Sequence, residues 1–226
     1  PIYRMRLPFL KIEKIIFKFM NIYERKILPH LVDTFCSSGP TAKQRQKIIP
    51  RAKGNILEVG IGTGLNIRFY DPKKVNKIWG LEPSRDMQIL ARKAINKTEF
   101  NVNFLTMPCE ELDMEDNSFD TIVFTYVLCT IPNLKQALTN IHRVLKPNGV
   151  ILFSEHGVAP DKCVQTMQNF INPIWKKIAG GCNLNRNIPK ILESSGFEVY
   201  ENNQMYIPGY KFSSYNFWGE ARKKIV

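Results

Sequence analysis

Ile56-Leu57-Glu58-Val59-Gly60-Ile61-Gly62-Thr63-Gly64 is the stretch on which the reading of this chain turns. An apolar run of strand length ends in a carboxylate and then in three glycines at alternate positions. Behind them, Leu65-Asn66-Ile67-Arg68-Phe69 predicts the beginning of a helix. Glycines are needed where a chain turns sharply out of a strand and lays its backbone against a ligand, which a Cβ would block. A GxGxxG dinucleotide fingerprint would place its third glycine where this chain has Leu65; the spacing is instead ExGxGxG, beginning at Glu58. A carboxylate beside phosphates repels them and suits an ammonium group. The turn therefore favours a cationic nucleoside over a pyrophosphate-bridged dinucleotide.

Three further pieces follow in order. Trp79-Gly80-Leu81-Glu82-Pro83-Ser84 closes a second strand with an acidic residue about 20 positions on, where folds of this kind bind ribose hydroxyls. Ser118-Phe119-Asp120-Thr121-Ile122-Val123 and Arg143-Val144-Leu145-Lys146-Pro147-Asn148-Gly149-Val150 come later. Together the four motifs resemble those of the class I S-adenosylmethionine-dependent methyltransferases. The stretch from Ser154-Glu155-His156 through Gly180-Gly181-Cys182-Asn183-Leu184 to Gly219-Glu220-Ala221-Arg222 is similar to a narrower branch. That branch is the small-molecule methyltransferases related to the animal thiol methyltransferases. The N-terminal two-thirds also resemble ubiquinone and phospholipid methyltransferases.

The length of 226 residues suits one domain with a large core. No apolar run approaches the roughly 20 residues of a membrane span, and the first residues lack a signal peptide's pattern, so a cytoplasmic protein is expected. The five cysteines, Cys36, Cys109, Cys129, Cys163 and Cys182, have no CxxC spacing; they are expected as small buried hydrophobes in a reducing compartment, without zinc or another metal. The net charge of +12 is concentrated at the start: residues 1–53 hold twelve Lys/Arg against three Asp/Glu, a net of +9, leaving +3 for residues 54–226.

Residues 1–53 are therefore expected as a basic helical cap and 54–226 as the methyltransferase domain. Within the cap, residues 9–28 predict a helix. Lys11, Lys14, Lys18 and Arg25 share one side, while Ile12, Ile15, Ile16, Phe19, Met20 and Tyr23 cover most of the other. Two readings stay open: a lid on the cofactor site, or a lid that also makes peripheral contact with an anionic membrane. Nucleic acid is disfavoured, because the basic segment lacks the aromatic interleaving of a single-strand platform. Leu31–Phe35 extends the cap, Cys36–Pro40 turns, and Thr41–Pro50 is a short polar helix.

From Asn55 strands and helices alternate, the pattern of a doubly wound, mostly parallel α/β sheet. Strands are expected at Asn55–Val59, Lys77–Leu81, Asn101–Thr106, Thr121–Tyr126 and Val150–Ser154. Helices are expected at Arg85–Ile95, capped by Ser84, and at Leu134–Leu145, Thr166–Ile178 and Ile188–Ser194, the last capped by Asn187. Glu155–Gln165 reads as loop, and Phe197–Tyr206 with Ser214–Arg222 as a closing antiparallel pair. A Rossmann-like order of seven strands with a reversed last strand is what the resemblance implies.

The resemblance also implies the site, with S-adenosyl-L-methionine as cofactor and S-adenosyl-L-homocysteine as product. Gly60, Gly62 and Gly64 pass beneath the methionine part, with Glu58 near its ammonium, directly or through water. Glu82, with Pro83 beside it, takes the ribose hydroxyls. Glu110 matches the glutamate of the family's third motif, but Pro108 stands where the family has an acid, so the backbone at Cys109 is assigned to the adenine amine. Thr125 sits beside the sulfonium.

Methyl transfer from a sulfonium is an in-line displacement, so alignment and exclusion of water come first. An amine or thiol acceptor must also lose a proton. His156, directly after the fifth strand, is placed to take it, or else only orients its loop. The small acceptor is expected to be lipid-like or a thiol. An RNA or protein methyltransferase is the alternative, disfavoured because Thr125-Tyr126-Val127-Leu128 stands where many enzymes methylating amino groups of polymers carry Asn/Asp-Pro-Pro-Tyr/Phe. An inactive cofactor-binding module is disfavoured by the intact glycines and acids.

Overall fold

The computed structural model describes residues 36–224 together with Tyr23, Leu28, Asp33 and Thr34. The amphipathic helix expected at 9–28 and its extension at Leu31–Phe35 lie, apart from those positions, outside the described residues. Chain order is α1 (Gly39–Ile48), β1 (Gly54–Val59), β2 (Val75–Leu81), α2 (Arg85–Ile95), β3 (Val102–Leu105), β4 (Phe119–Thr125) and α3 (Leu134–Val144). It continues through β5 (Leu145–His156), α4 (Lys162–Ile178), α5 (Ile188–Ser194), β6 (Phe197–Tyr206) and β7 (Tyr215–Lys223). Among the described residues no helix is long and apolar enough to cross a membrane.

The seven strands form one sheet in the order β3-β2-β1-β4-β5-β7-β6. β7 runs antiparallel to β5 and to β6, and the other pairs are parallel. The order reverses between β1 and β4, which places a crevice at the carboxyl ends of those two strands. Successive side chains of a strand alternate between faces. Leu57, Val59, Ile122, Phe124, Ile151 and Phe153 accordingly pack into one core with α3 and α5. Ile56, Val123 and Leu152 pack into a second core with Ile48, Ile49 and Ile61. Glu58 and Thr125 share that second face by the same alternation, and α1 lies over it.

Several expectations need correction. Leu65–Phe69 starts no α-helix; it gives a turn and a single 3₁₀ turn at Ile67–Phe69. Asn66 and Tyr70 are drawn inward, and Pro72 follows too soon for a long helix. Glu155–Gln165 is not all loop: β5 continues to His156 because Glu155 and His156 pair with Phe217 and Asn216 of β7, and α4 begins at Lys162. β5 also begins earlier, at Leu145, with an irregularity where Phe119 faces Leu145 and Thr121 already faces Val150. The polar helix before the sheet, α1, starts at Gly39, inside the expected turn.

Candidate functional site

The loop leaving β1 is built as the glycine pattern requires. Gly60, Gly62 and Gly64 have φ of +68°, +56° and +81°, and a Cβ on Gly64 would stand 3.3 Å from the backbone of Ala91 in α2. The Gly60 and Ile61 amides donate to the Leu81 carbonyl (2.8 and 3.2 Å), which fastens the turn to the end of β2. Glu82 completes the fastening. Its Oε2 accepts from the Gly62 amide at 3.1 Å and its Oε1 from the Ser84 amide at 2.9 Å. Burial raises the Glu82 pKa, and those two amides oppose the shift. A carboxylate accepts about four hydrogen bonds, so each oxygen keeps one acceptor position. Pro83 beside it is exposed. Ser84 caps α2 by accepting from the Met87 amide at 3.3 Å.

Beneath the turn lies a buried polar network. Glu58 accepts from Asn66 Nδ2 (2.9 Å) and the Tyr70 hydroxyl (2.7 Å). Arg45 of α1 donates through one nitrogen to Asn66 Oδ1 (2.8 Å) and Thr125 Oγ1 (2.7 Å), and Asn66 Nδ2 also reaches Thr125 (2.9 Å). Both Glu58 oxygens are thus engaged below the loop. Any effect of Glu58 on an ammonium passes through this network rather than along an open line.

Burial pushes the Glu58 carboxyl up to about 7, against the Tyr70 hydrogen bond, the Arg45 charge and the Asn66 hydrogen bond. A carboxyl raised on folding contributes stability that is complete below its unfolded value of 4.5 and lost as pH rises through its folded value near 7. Glu155 behaves alike, raised to about 7 by burial first. Between pH 5 and pH 8 the wild-type protein is therefore expected to lose stability that Glu58→Gln does not lose. The difference is bounded at about 3 kcal/mol by the shift from the ordinary value. Urea unfolding of both proteins across that range checks it, and parallel curves would count against a buried ionising Glu58.

On the opposite flank of the crevice, Cys109–Glu111 forms a 3₁₀ turn. Asn140 of α3 donates to the carbonyls of Cys109 (3.1 Å) and Glu110 (2.8 Å), and Glu110 Oε1 accepts from the Asn133 amide (3.1 Å). The Glu110 carboxylate therefore braces the loop before α3. The Cys109 thiol is pushed to about 12, first by burial. Two surface depressions, of about 470 and 480 Å³, lie at the amino-terminal edge of the sheet around Gly54 and Asn55, away from this crevice. Asp120 is at that edge also, accepting from the Asn55 amide (2.9 Å) and from Lys146 (2.6 Å).

The carboxyl ends of β4 and β5 form the rest of the site. Tyr126, immediately after Thr125, holds φ +56°, which is costly for an aromatic residue. Its amide donates to the Ser154 carbonyl (3.0 Å) and its hydroxyl to Asn216 Oδ1 of β7 (2.7 Å). Glu155 Oε1 accepts from the amides of Val127 (2.8 Å) and Leu128 (3.1 Å) and so sets the following loop. His156 Nε2 is 3.2 Å from Cys182 Sγ, and Trp175 Nε1 donates to the same sulfur at 3.4 Å. Cys129 joins them, the three ligand atoms all lying within 4.8 Å of one another. Cys182 is held well below the usual thiol range, first by the Cys129 hydrogen bond and then by His156 and Trp175 against burial. Burial lowers the His156 pKa, but the charge and hydrogen bond of Cys182 outweigh it and leave it raised.

The expectation of cysteines as small buried hydrophobes holds for Cys109 and not throughout. Cys163 is exposed, Cys36 and Cys182 are half-buried, and Cys129 with Cys182 forms a cluster that local spacing does not show. Arg45, Asn66 and Tyr70 escape a reading from sequence, and Glu155 and Cys182 stand in stretches that resemble the narrower branch without a role being read for either.

A family model described as a methyltransferase domain matches residues 57–153. The human thiol S-methyltransferase TMT1B is 34% identical over 146 residues, covering 63% of this chain and 59% of its own length. The ubiquinone/menaquinone biosynthesis C-methyltransferase UbiE of Geotalea daltonii is 31% identical over 115 residues, covering 49% of this chain and 48% of its own. The chain thus spans under two thirds of the length of these relatives. A SAM-dependent methyltransferase structure from Thermotoga maritima superposes with a TM-score of 0.59 at 22% identity, covering 92% of this chain and 97% of its own, and shows the same fold.

Proposed function

We propose that this chain, which carries a class I S-adenosylmethionine-dependent methyltransferase domain, transfers the methyl group of S-adenosylmethionine to a small thiol or lipid-like acceptor. One observation carries the reading. Among the described residues, the buried side-chain polar atoms without a hydrogen-bond partner are Arg45 Nε, Ser154 Oγ, Glu155 Oε2 and His156 Nδ1. All four belong to residues grouped around the carboxyl ends of β4 and β5. Buried polar groups are paired almost everywhere in folded proteins, so unmet capacity gathered at one place marks where a polar ligand is received.

Bound S-adenosylmethionine supplies an electrophilic methyl on a sulfonium. Gly60, Gly62 and Gly64 would let the backbone approach its methionyl part, and Arg45 Nε, which has no partner among the described residues, would be free to donate to a carboxylate that reached it. Glu82, with Pro83 beside it, keeps acceptor positions for the ribose hydroxyls. Cys109 and Glu110 border the adenine side. Thr125, fixed by Arg45 and Asn66, would border the sulfonium. Glu58 holds the turn from below and lends negative potential toward the ammonium.

His156, in contact with Cys182, is the residue assigned to activating the acceptor. A thiol acceptor is favoured by the sulfur-rich lining of that end and by the relative named for thiol methylation. A lipid-like acceptor and a working place at a membrane surface are supported by α4. It exposes Phe170 (81%), Ile174 (65%) and Ile178 (51%) along one face, and Tyr23 of the amphipathic segment donates to the Ile178 carbonyl at 2.6 Å.

The test pairs calorimetric titration of S-adenosylhomocysteine with methyl transfer to alkyl thiols, quinol precursors and phospholipid head groups. His156→Gln is expected to lower turnover at least tenfold while leaving nucleoside binding within threefold. No binding of the nucleoside would sink the reading. Binding without transfer to any of the three classes would remove the acceptor assignment.

A further inference from the structure

We infer that Cys129, His156 and Cys182 form a three-ligand site for a soft divalent cation of the zinc type, whose fourth position takes the sulfur of the acceptor. The second half of this statement rests on the function proposed above; the first half stands without it.

The three residues come from separate places: Cys129 from the loop after β4, His156 from the last position of β5, Cys182 from the loop after α4. Their ligand atoms nevertheless converge within 4.8 Å of one another. The backbone around the convergence is fastened at each of the three loops or strands. The Asn183 amide and its Nδ2 both donate to the Cys129 carbonyl (2.9 Å each), clipping one cysteine loop to the other. Arg186 donates to the Leu128 carbonyl, immediately before Cys129. Pairing of His156 with Asn216 in β7 fixes the third ligand's backbone. A chance meeting of three side chains would not need such bracing.

Two sulfurs and one imidazole make a soft set that selects zinc-like cations over magnesium or calcium. Three protein ligands rather than four is the arrangement of a site that keeps one position for a reacting molecule. The Trp175 N–H on Cys182 Sγ at 3.4 Å is an outer contact of the kind that orients a ligating thiolate.

With the cation bound, an acceptor R–SH entering the fourth position releases its proton to solvent and is held as R–S⁻. Its sulfur then forms the bond to the methyl carbon while the carbon–sulfonium bond breaks. That electron pair remains on S-adenosylhomocysteine, and the product is the neutral thioether. His156 thus activates the acceptor as a ligand of the cation.

The experiment titrates cobalt(II) chloride into the chelator-treated full chain, without thiol reductants, and follows the thiolate-to-cobalt charge-transfer absorption. One equivalent is expected to bind, the band to vanish in the Cys129→Ser/Cys182→Ser double variant, and affinity to fall at least tenfold in His156→Ala. Cys163→Ser, at an exposed cysteine, is expected to leave the band unchanged. Ethanethiol added to the cobalt-loaded protein should shift the spectrum. No charge-transfer band in a folded wild-type protein that binds S-adenosylhomocysteine overturns the site. Full-rate thiol methylation by chelated protein overturns the acceptor's place on the cation and leaves both the cation site and the proposed function standing. A band that ethanethiol does not move overturns the acceptor assignment and keeps the cation site.

Discussion

Replacing Glu82 with alanine is expected to weaken S-adenosylhomocysteine binding by a factor of roughly one hundred to one thousand. The side chain acts twice. It fastens the glycine turn to α2 through the Gly62 and Ser84 amides at 3.1 and 2.9 Å. Under the proposed function its remaining acceptor positions would take the ribose hydroxyls of the nucleoside. Hydrogen bonds to an ionised partner contribute about 1.5–3 kcal/mol each. Losing the ribose pair alone therefore accounts for the lower bound, and loosening of the turn adds to it. Glu82→Gln should fall between, because an amide nitrogen cannot accept from one of the two backbone donors. The fold itself should survive, since Glu82 lies outside both apolar cores. Calorimetry on variants with unchanged circular dichroism measures this, and Glu110→Ala, whose carboxylate contacts the Asn133 amide, serves as a milder comparison. Affinity within threefold of wild type for Glu82→Ala would show that the ribose is held elsewhere.

The strand end and helix start on either side of Glu82 are legible in the sequence because their signals are local, whereas the bond from the Gly62 amide, twenty residues away, is not. An acid ends a strand, Ser84 caps the next turn, and Arg85–Ile95 follows with the expected bounds. The same holds for α5, where Asn187 accepts from the Lys190 amide at 3.2 Å and sets the helix start. What could not be read depends on contacts between distant segments. Arg45 sits in a short polar helix, indistinguishable by pattern from a solvated cation, yet it is 4% exposed because α1 lies across the face that carries Glu58 and Thr125. Cys129 and Cys182 showed no ligand spacing, since the fold rather than the chain brings them together. β5 reads as ending at Ser154 from its apolar run, but the ladder with β7 carries it to His156. Propensity sees the strand and not its neighbour.

That dependence on β7 makes Gly219 the most sensitive position in the sheet, and Gly219→Ala is expected to prevent folding at ordinary temperature. β7 lies between β5 and β6, with Gly219 paired to Phe153 on one side and Asn202 on the other. An irregularity in β6 between Val199 and Glu201 swings the Glu201 carbonyl over it, so that a Cβ on residue 219 would stand 1.7 Å from that oxygen and 2.5 Å from its carbon. Both atoms are backbone and cannot rotate aside as a side-chain tip could. Nor can the strand move freely. Arg51 grips Glu201 and Glu220 at 2.7 Å each, tying β6 and β7 to the turn before β1. Relief would require breaking the ladder on one side of a central strand, at a cost above about 4 kcal/mol, a large part of the 5–15 kcal/mol typical of a domain. Gly39→Ala is the matched control, because nothing lies within 4 Å of a Cβ there, and it should change stability by less than about 1 kcal/mol. Soluble yield and urea midpoints decide the matter, a Gly219→Ala midpoint near that of wild type being the result that refutes it. Should a partly folded Gly219→Ala protein be recovered, it should also lose acceptor chemistry. Asn216, three residues earlier on β7, receives the Tyr126 hydroxyl and pairs with His156, so a displaced β7 takes both sides of the site with it.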